Sequence, residues 1–208
     1  MDKIKLELDK VSLLNRFRRE MNGAVVGAMR TNFALEGLQS YGVSTPTIRS
    51  ICHEVVADHE LAIYIFESKV RELKLAATYI DDVKRTTIGQ ILSWCESTQS
   101  NEILQSIVGL AAECSFSKNL FSSWAVNPTN SKFRPLALLL AGKLIKKGIK
   151  LEKQDLLNLL KSCHNNDINS AVFALNALHC NNEAMYNEII TDLSNDDNLT
   201  IKEILNFF

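Results

Sequence analysis

Lys143, Lys146, Lys147 and Lys150 stand at i, i+3, i+4 and i+7, so on an unbroken helix their four ammonium groups share one face. Such a face supplies what a phosphate backbone needs, positive charge within reach of its oxygens. Lys132 and Arg134 sit at the other end of the same segment. Arg134 is nine residues before Lys143, half a turn out of phase, so the six cations do not form one stripe. These six are the candidate phosphate contacts. A second basic group, Arg16, Arg18, Arg19 and Arg30, lies near the N-terminus, with Arg16 and Arg19 on a common face.

Other groupings fall short of a reaction. His53-Glu54 followed by His59 lacks the His-Glu-x-x-His spacing that brings two imidazoles to one zinc. Cys163-His164 and His179-Cys180 fall at the ends of successive helical segments. Antiparallel packing puts those ends about 15–18 Å apart at 1.5 Å per residue, too far for four ligands around one metal. Cys52 beside His53 is no thiol–base pair, because adjacent helical side chains point about 100° apart. Cys52 therefore reads as core, as do Trp94 and Trp124. No metal site, cofactor site or catalytic residue emerges.

Bulk numbers narrow the class further. The 208 residues are 46% hydrophobic and 23% charged, with 8 glycines and 3 prolines, too few for a turn-rich β-sandwich. The net charge is −1 and the pI about 6.4, which excludes a uniformly basic chain. Charge is nonetheless segregated. From Lys118 to Lys150 there are seven cations and no acid, whereas residues 151–208 hold nine acids and three cations. One surface can thus face an anionic partner while the molecule stays near neutral. Five scattered cysteines and a start without an apolar signal core read as reduced thiols in a cytoplasm, with no membrane segment.

The elements that must position these residues read as helices throughout. Val70, Leu73, Ala77 and Ile80 keep helical spacing, as do Ile103, Leu104, Ile107, Val108 and Ala111. The pattern predicts helices over 4–21, 23–35, 46–57, 59–67, 69–81, 86–96, 100–113, 117–126, 134–147, 152–163, 168–179, 183–193 and 200–207. Expected caps are Thr45 ahead of Pro46, Asp58, Asp167, and a Thr200-to-Glu203 capping box. Gly148 reads as a helix stop, and Glu67 and Arg71 as a stabilising i, i+4 pair. Short helices joined by short loops stack as antiparallel pairs. The expected fold is all-α, an α-α superhelix of about six such pairs, in a single domain over 1–208.

Within this frame, Tyr41-Gly42-Val43-Ser44-Thr45-Pro46-Thr47-Ile48-Arg49, Asp58-His59-Glu60-Leu61-Ala62 and Val70-Arg71-Glu72-Leu73-Lys74-Leu75-Ala76-Ala77 follow one another in order. With Met21 to Val26, Met29 and Arg30, they resemble the DNA alkylation repair family of HEAT-like repeat proteins, the AlkD-type alkylpurine glycosylases, in a divergent bacterial branch. The resemblance spans residues 16–82. By their chemistry the matching residues are turn and packing residues.

The resemblance implies duplex DNA held in a basic concave face, and no cofactor or metal. Its catalytic Trp-x-x-x-Asp element would fall on Gln105 and Gly109, its later aromatic near Ala174 beside Phe173, and its basic residue near Arg134. The carboxylate is absent from those positions. The implied reading is DNA binding through Lys132, Arg134, Lys143, Lys146, Lys147 and Lys150 without base excision. A non-catalytic scaffold for a protein partner is the alternative.

Overall fold

The apolar spacing that marks each helix also sets what it buries. In the computed structural model, which describes residues 3–32, 37–127 and 130–208, thirteen α-helices and one 3-10 turn are found among the described residues. None of these helices is long and apolar enough to cross a membrane. The chain divides into two compact units, Met1–Leu110 and Ala111–Phe208.

The first unit contains α1 (Lys3–Arg19), α2 (Gly23–Asn32), α3 (Thr45–His53), α4 (His59–Phe66), α5 (Arg71–Ile80), α6 (Ile88–Glu96) and most of α7 (Asn101–Ala111). Every α5 residue except Tyr79 is buried, so this helix is the axis of the unit. It packs against α1, α3 and α4, and its Leu73, Ala76, Ala77 and Ile80 are buried.

The second unit is built from α8 (Ser117–Ala125), α9 (Phe133–Lys146), α10 (Lys153–Lys161), α11 (Ile168–Asn181), α12 (Glu183–Ser194) and α13 (Leu199–Leu205). Here α9 is central, with Leu136, Ala137, Leu138, Leu140, Ala141, Leu144 and Ile145 all buried. Helix α9 packs on α8 and α10, its neighbours in sequence, and most extensively on α11, two helices on. The same skip-one contact recurs as α8 with α10, α10 with α12, and α11 with α13. Contact with the next helix and the next but one is the pattern of stacked helical pairs.

Gly142 allows the α9–α11 approach. A Cβ there would come within 2.5 Å of the Phe173 ring and 3.3 Å of the Ala174 Cα.

The caps show where local rules hold. Asp58 accepts from the Leu61 N–H at 3.0 Å, as its sequence position suggests. At α3 the cap is Ser44 rather than Thr45, with Ser44 Oγ accepting from the Thr47 N–H at 3.2 Å. Pro46 still lies in the first turn. At α13 the cap is Asn198, whose side chain accepts from the Thr200 N–H at 2.9 Å. Thr200 therefore lies inside the helix, and its hydroxyl turns to Asn165 Oδ1 at 3.1 Å. Asp167 precedes α11 but does not cap it. Its carboxylate accepts instead from the His164 N–H at 2.8 Å and from Arg134.

Candidate functional site

Two of the stretches that carry the family resemblance, around Tyr41 to Thr45 and at Arg71-Glu72, meet in one buried cluster in the first unit. Gln39 pairs with the α4–α5 turn, its N–H donating to Lys69 at 2.8 Å and its carbonyl accepting from Arg71 N–H at 2.9 Å. Gly42 turns the chain with φ +71°, and a Cβ there would lie 2.5 Å from the Asn22 carbonyl.

The loop is then pinned by charge. Glu72 Oε1 accepts from Ser40 Oγ at 2.9 Å, the Tyr41 N–H at 3.1 Å and Arg71 at 3.0 Å. Arg71 also donates to the Val43 carbonyl at 3.0 Å and grips both oxygens of Glu102, at 2.6 and 2.5 Å. Arg71 is 2% exposed and Glu72 is fully buried.

Glu102 receives a further bond from Thr45 Oγ1 at 2.6 Å. Burial pushes the Glu102 carboxyl up, but the Arg71 and Thr45 hydrogen bonds and the Arg71 charge outweigh it and hold it below its ordinary value. The expected Glu67–Arg71 pair does not form, because Glu67 closes α4 and Arg71 opens α5 with a turn between them. These residues are scaffold, as their types suggest.

The six candidate cations of the second unit are dispersed by the backbone. Helix α9 stops at Lys146, and Gly148 adopts φ +74°. The helical face therefore includes Lys143 and Lys146 but not Lys150, which lies exposed beyond the stop. Lys143 is half-buried and Lys146 exposed, its ammonium 4.3 Å from the Phe173 ring centre. Lys147 turns back, donating to the Ala112 carbonyl at 2.8 Å and pairing with Glu113 at 2.6 Å. Lys132 sits half-buried where α9 begins.

Arg134 is the clear correction. It is 3% exposed and its Nε donates to Asp167 Oδ2 at 2.7 Å, so it is a core ion pair and no surface cation. In the N-terminal basic group, Arg16 bonds Glu54 and Arg18 lies over the Tyr41 ring at 5.7 Å. The side chain of Arg30 lies outside the described residues.

The catalytic positions implied by the resemblance can also be placed. Gln105 is exposed, and open space lies where a Gly109 side chain would project. Ala174 is fully buried, and the Phe173 ring lies against Gly142 and beneath Lys146. The one acid on α7, Glu102, is bound to Arg71 and Thr45. Cys52 and Cys163 are buried thiols whose desolvation pushes each pKa up to about 12, which removes them as nucleophiles at neutral pH. Trp94 and Trp124 are core, at 6% and 5% exposed.

A solved structure matches this architecture with a TM-score of 0.73, over 94% of this chain and 92% of its own. The chain has a HEAT-like repeat fold. That structure is described as one of a new family of proteins related to the HEAT-like repeat DNA glycosylases, with affinity for branched DNA structures. The identity is 12%, so the likeness shows the fold and its all-α, superhelical class. Neither a family model nor a curated protein sequence matches the chain.

Sequence reasoning missed Lys74. It lies inside the apolar run Leu73 to Ala77 and is 9% exposed, on an α5 that is buried on nearly every side. A lysine within so continuous an apolar helix is the available signal. It also missed the pairing of Arg71 with Glu102, 31 residues away, which no local rule reveals.

Proposed function

We propose that this protein binds DNA, branched or duplex, through lysines at the C-terminal end of α9, and that it does not excise bases. The observation that carries the reading is the fold shared over nearly the whole chain with a protein described as having affinity for branched DNA. Charge supports it. Lys143, Lys146 and Lys150 cluster in sequence around the α9 stop, inside a stretch from Lys118 to Lys150 without an acid. Cations at a helix C-terminus are also favoured by its dipole.

The chemistry that excision needs supports the non-excising reading. A glycosylase stabilises positive charge developing on the sugar with a carboxylate aimed at it. On α7 that carboxylate is missing at Gln105 and Gly109, and Glu102 is already neutralised by Arg71. A cationic alkylated base would also need an open aromatic face, whereas Lys146 already stands over Phe173.

The test replaces Lys143, Lys146 and Lys150 together by alanine and measures binding of a fluorescent four-way junction and a duplex at several salt concentrations. Each phosphate contact contributes about 0.9 to the log–log salt slope, so the triple variant is expected to bind more weakly with a slope flatter by about 2–3. Unchanged affinity and slope would overturn the assignment of these lysines. Incubation with methylated duplex is expected to release no base, and release above a buffer control would contradict the non-excising reading.

A further inference from the structure

Helices α4, α5 and α6 of the first unit border a groove of about 480 Å³, within the size range of small-molecule sites. One wall is apolar. Phe66 and Trp94 stack with ring centres 4.0 Å apart and planes within 6°, and Ile63 lies beside them, 38% exposed. Lys74 completes the lining as a buried cation. Its ammonium sits 4.3 Å from the Phe66 ring centre and donates to the Phe66 carbonyl at 2.7 Å.

An ammonium carries three N–H donors, and the Phe66 carbonyl takes one of them. Burial pushes the Lys74 pKa down, with the Glu67 charge at the rim opposing. Across the groove, Gln90 is oriented by its Nε2, which donates to Asp81 at 2.6 Å and leaves the amide oxygen as an acceptor. Ser93 is exposed on the α6 rim.

We propose that this groove binds a small planar ligand carrying one anionic group, a carboxylate or a phosphate. The anion bonds the Lys74 ammonium, and the ring lies against the exposed Ile63 side chain at the edge of the buried Phe66–Trp94 pair. This does not rest on the DNA-binding reading, since every residue involved lies between Ile63 and Trp94.

The test uses the full chain with Trp124→Phe, which leaves Trp94 as the sole indole. Its fluorescence is followed during titration with adenosine monophosphate, benzoate, inorganic phosphate and adenosine. A saturable change with adenosine monophosphate, with benzoate, or with both supports the site, and the stronger of the two identifies phosphate or carboxylate as the anion. Inorganic phosphate and adenosine, each lacking half of the ligand, are expected to bind about tenfold more weakly or worse. Lys74→Met is expected to lower affinity by about tenfold or more, as loss of a hydrogen bond to a charged group does. Should Lys74→Met fail to fold, Ser93→Phe, which fills the groove from its exposed rim, decides the matter by abolishing binding. No saturable change with either adenosine monophosphate or benzoate, or undiminished binding in the variants, overturns the proposal.

Discussion

At the scale of single residues, two buried arginines organise the molecule. Arg71 holds Glu102 and Glu72 in the first unit, and Arg134 holds Asp167 in the second. Removing one partner of such a pair leaves an uncompensated buried charge. Asp167→Asn is therefore expected to lower unfolding free energy by about 3–5 kcal/mol in urea titration, and adding Arg134→Met to recover part of the loss. Glu102 is more exposed, so Glu102→Gln is expected to cost less, about 2–3 kcal/mol near neutral pH.

Because the folded-state pKa of Glu102 is depressed, its contribution is complete above the ordinary value of 4.5 and is lost as pH falls through the folded value. Stability curves of the wild type and Glu102→Gln should thus run parallel above about pH 5 and converge below about pH 4. A gap that stayed constant down to low pH would show that the Glu102 charge is not what stabilises the loop. None of these partners was legible beforehand. The i, i+4 rule assigned Arg71 to Glu67, and Arg134 stood in a basic run that looked like surface. Its actual partner is 33 residues away and reachable only through tertiary packing.

At the scale of elements, sequence and structure agree far better. Each predicted helix corresponds to an observed one, because burial of an apolar stripe fixes helices more strongly than any single cap. The errors sit at the ends. Ser44 and Thr45 are both competent caps, and the choice falls to Ser44 while Thr45 serves Glu102. Thr200-x-x-Glu203 satisfies the capping-box pattern, yet Asn198 takes the cap. The α9–α11 crossing offers an element-scale prediction. Gly142→Ala should cost about 1–3 kcal/mol through overpacking against Phe173, and Phe173→Ala in the same chain should remove most of that penalty. A double-mutant cycle by thermal melting measures the coupling, and additive losses would mean that the contact does not limit the approach. Asp58→Ala, which removes the α4 cap, should cost about 1 kcal/mol in the same assay.

At the scale of the whole molecule, charge segregation was legible from composition alone, but its deployment was not. A helix running on to Lys150 would have aligned four lysines. Gly148 ends it, Lys147 folds back onto the Ala112 carbonyl, and Arg134 is withdrawn into the core. The lysines assigned above to DNA, Lys143, Lys146 and Lys150, thus stand around the α9 stop rather than along one helical stripe. The resemblance read from residues 16–82 pointed to a HEAT-like fold, and the structural match bears that out. It did so through turn and packing residues, which explains why fold was more legible than activity. The central claim, DNA binding by charge without base chemistry, is tested most directly by equilibrium binding of the intact protein to an unmodified four-way junction across a salt series. The account predicts saturable binding whose affinity falls steeply with salt, with a log–log slope of about −3 or steeper. Absence of binding at low salt, or an affinity indifferent to salt, would contradict it and shift the reading to a protein partner.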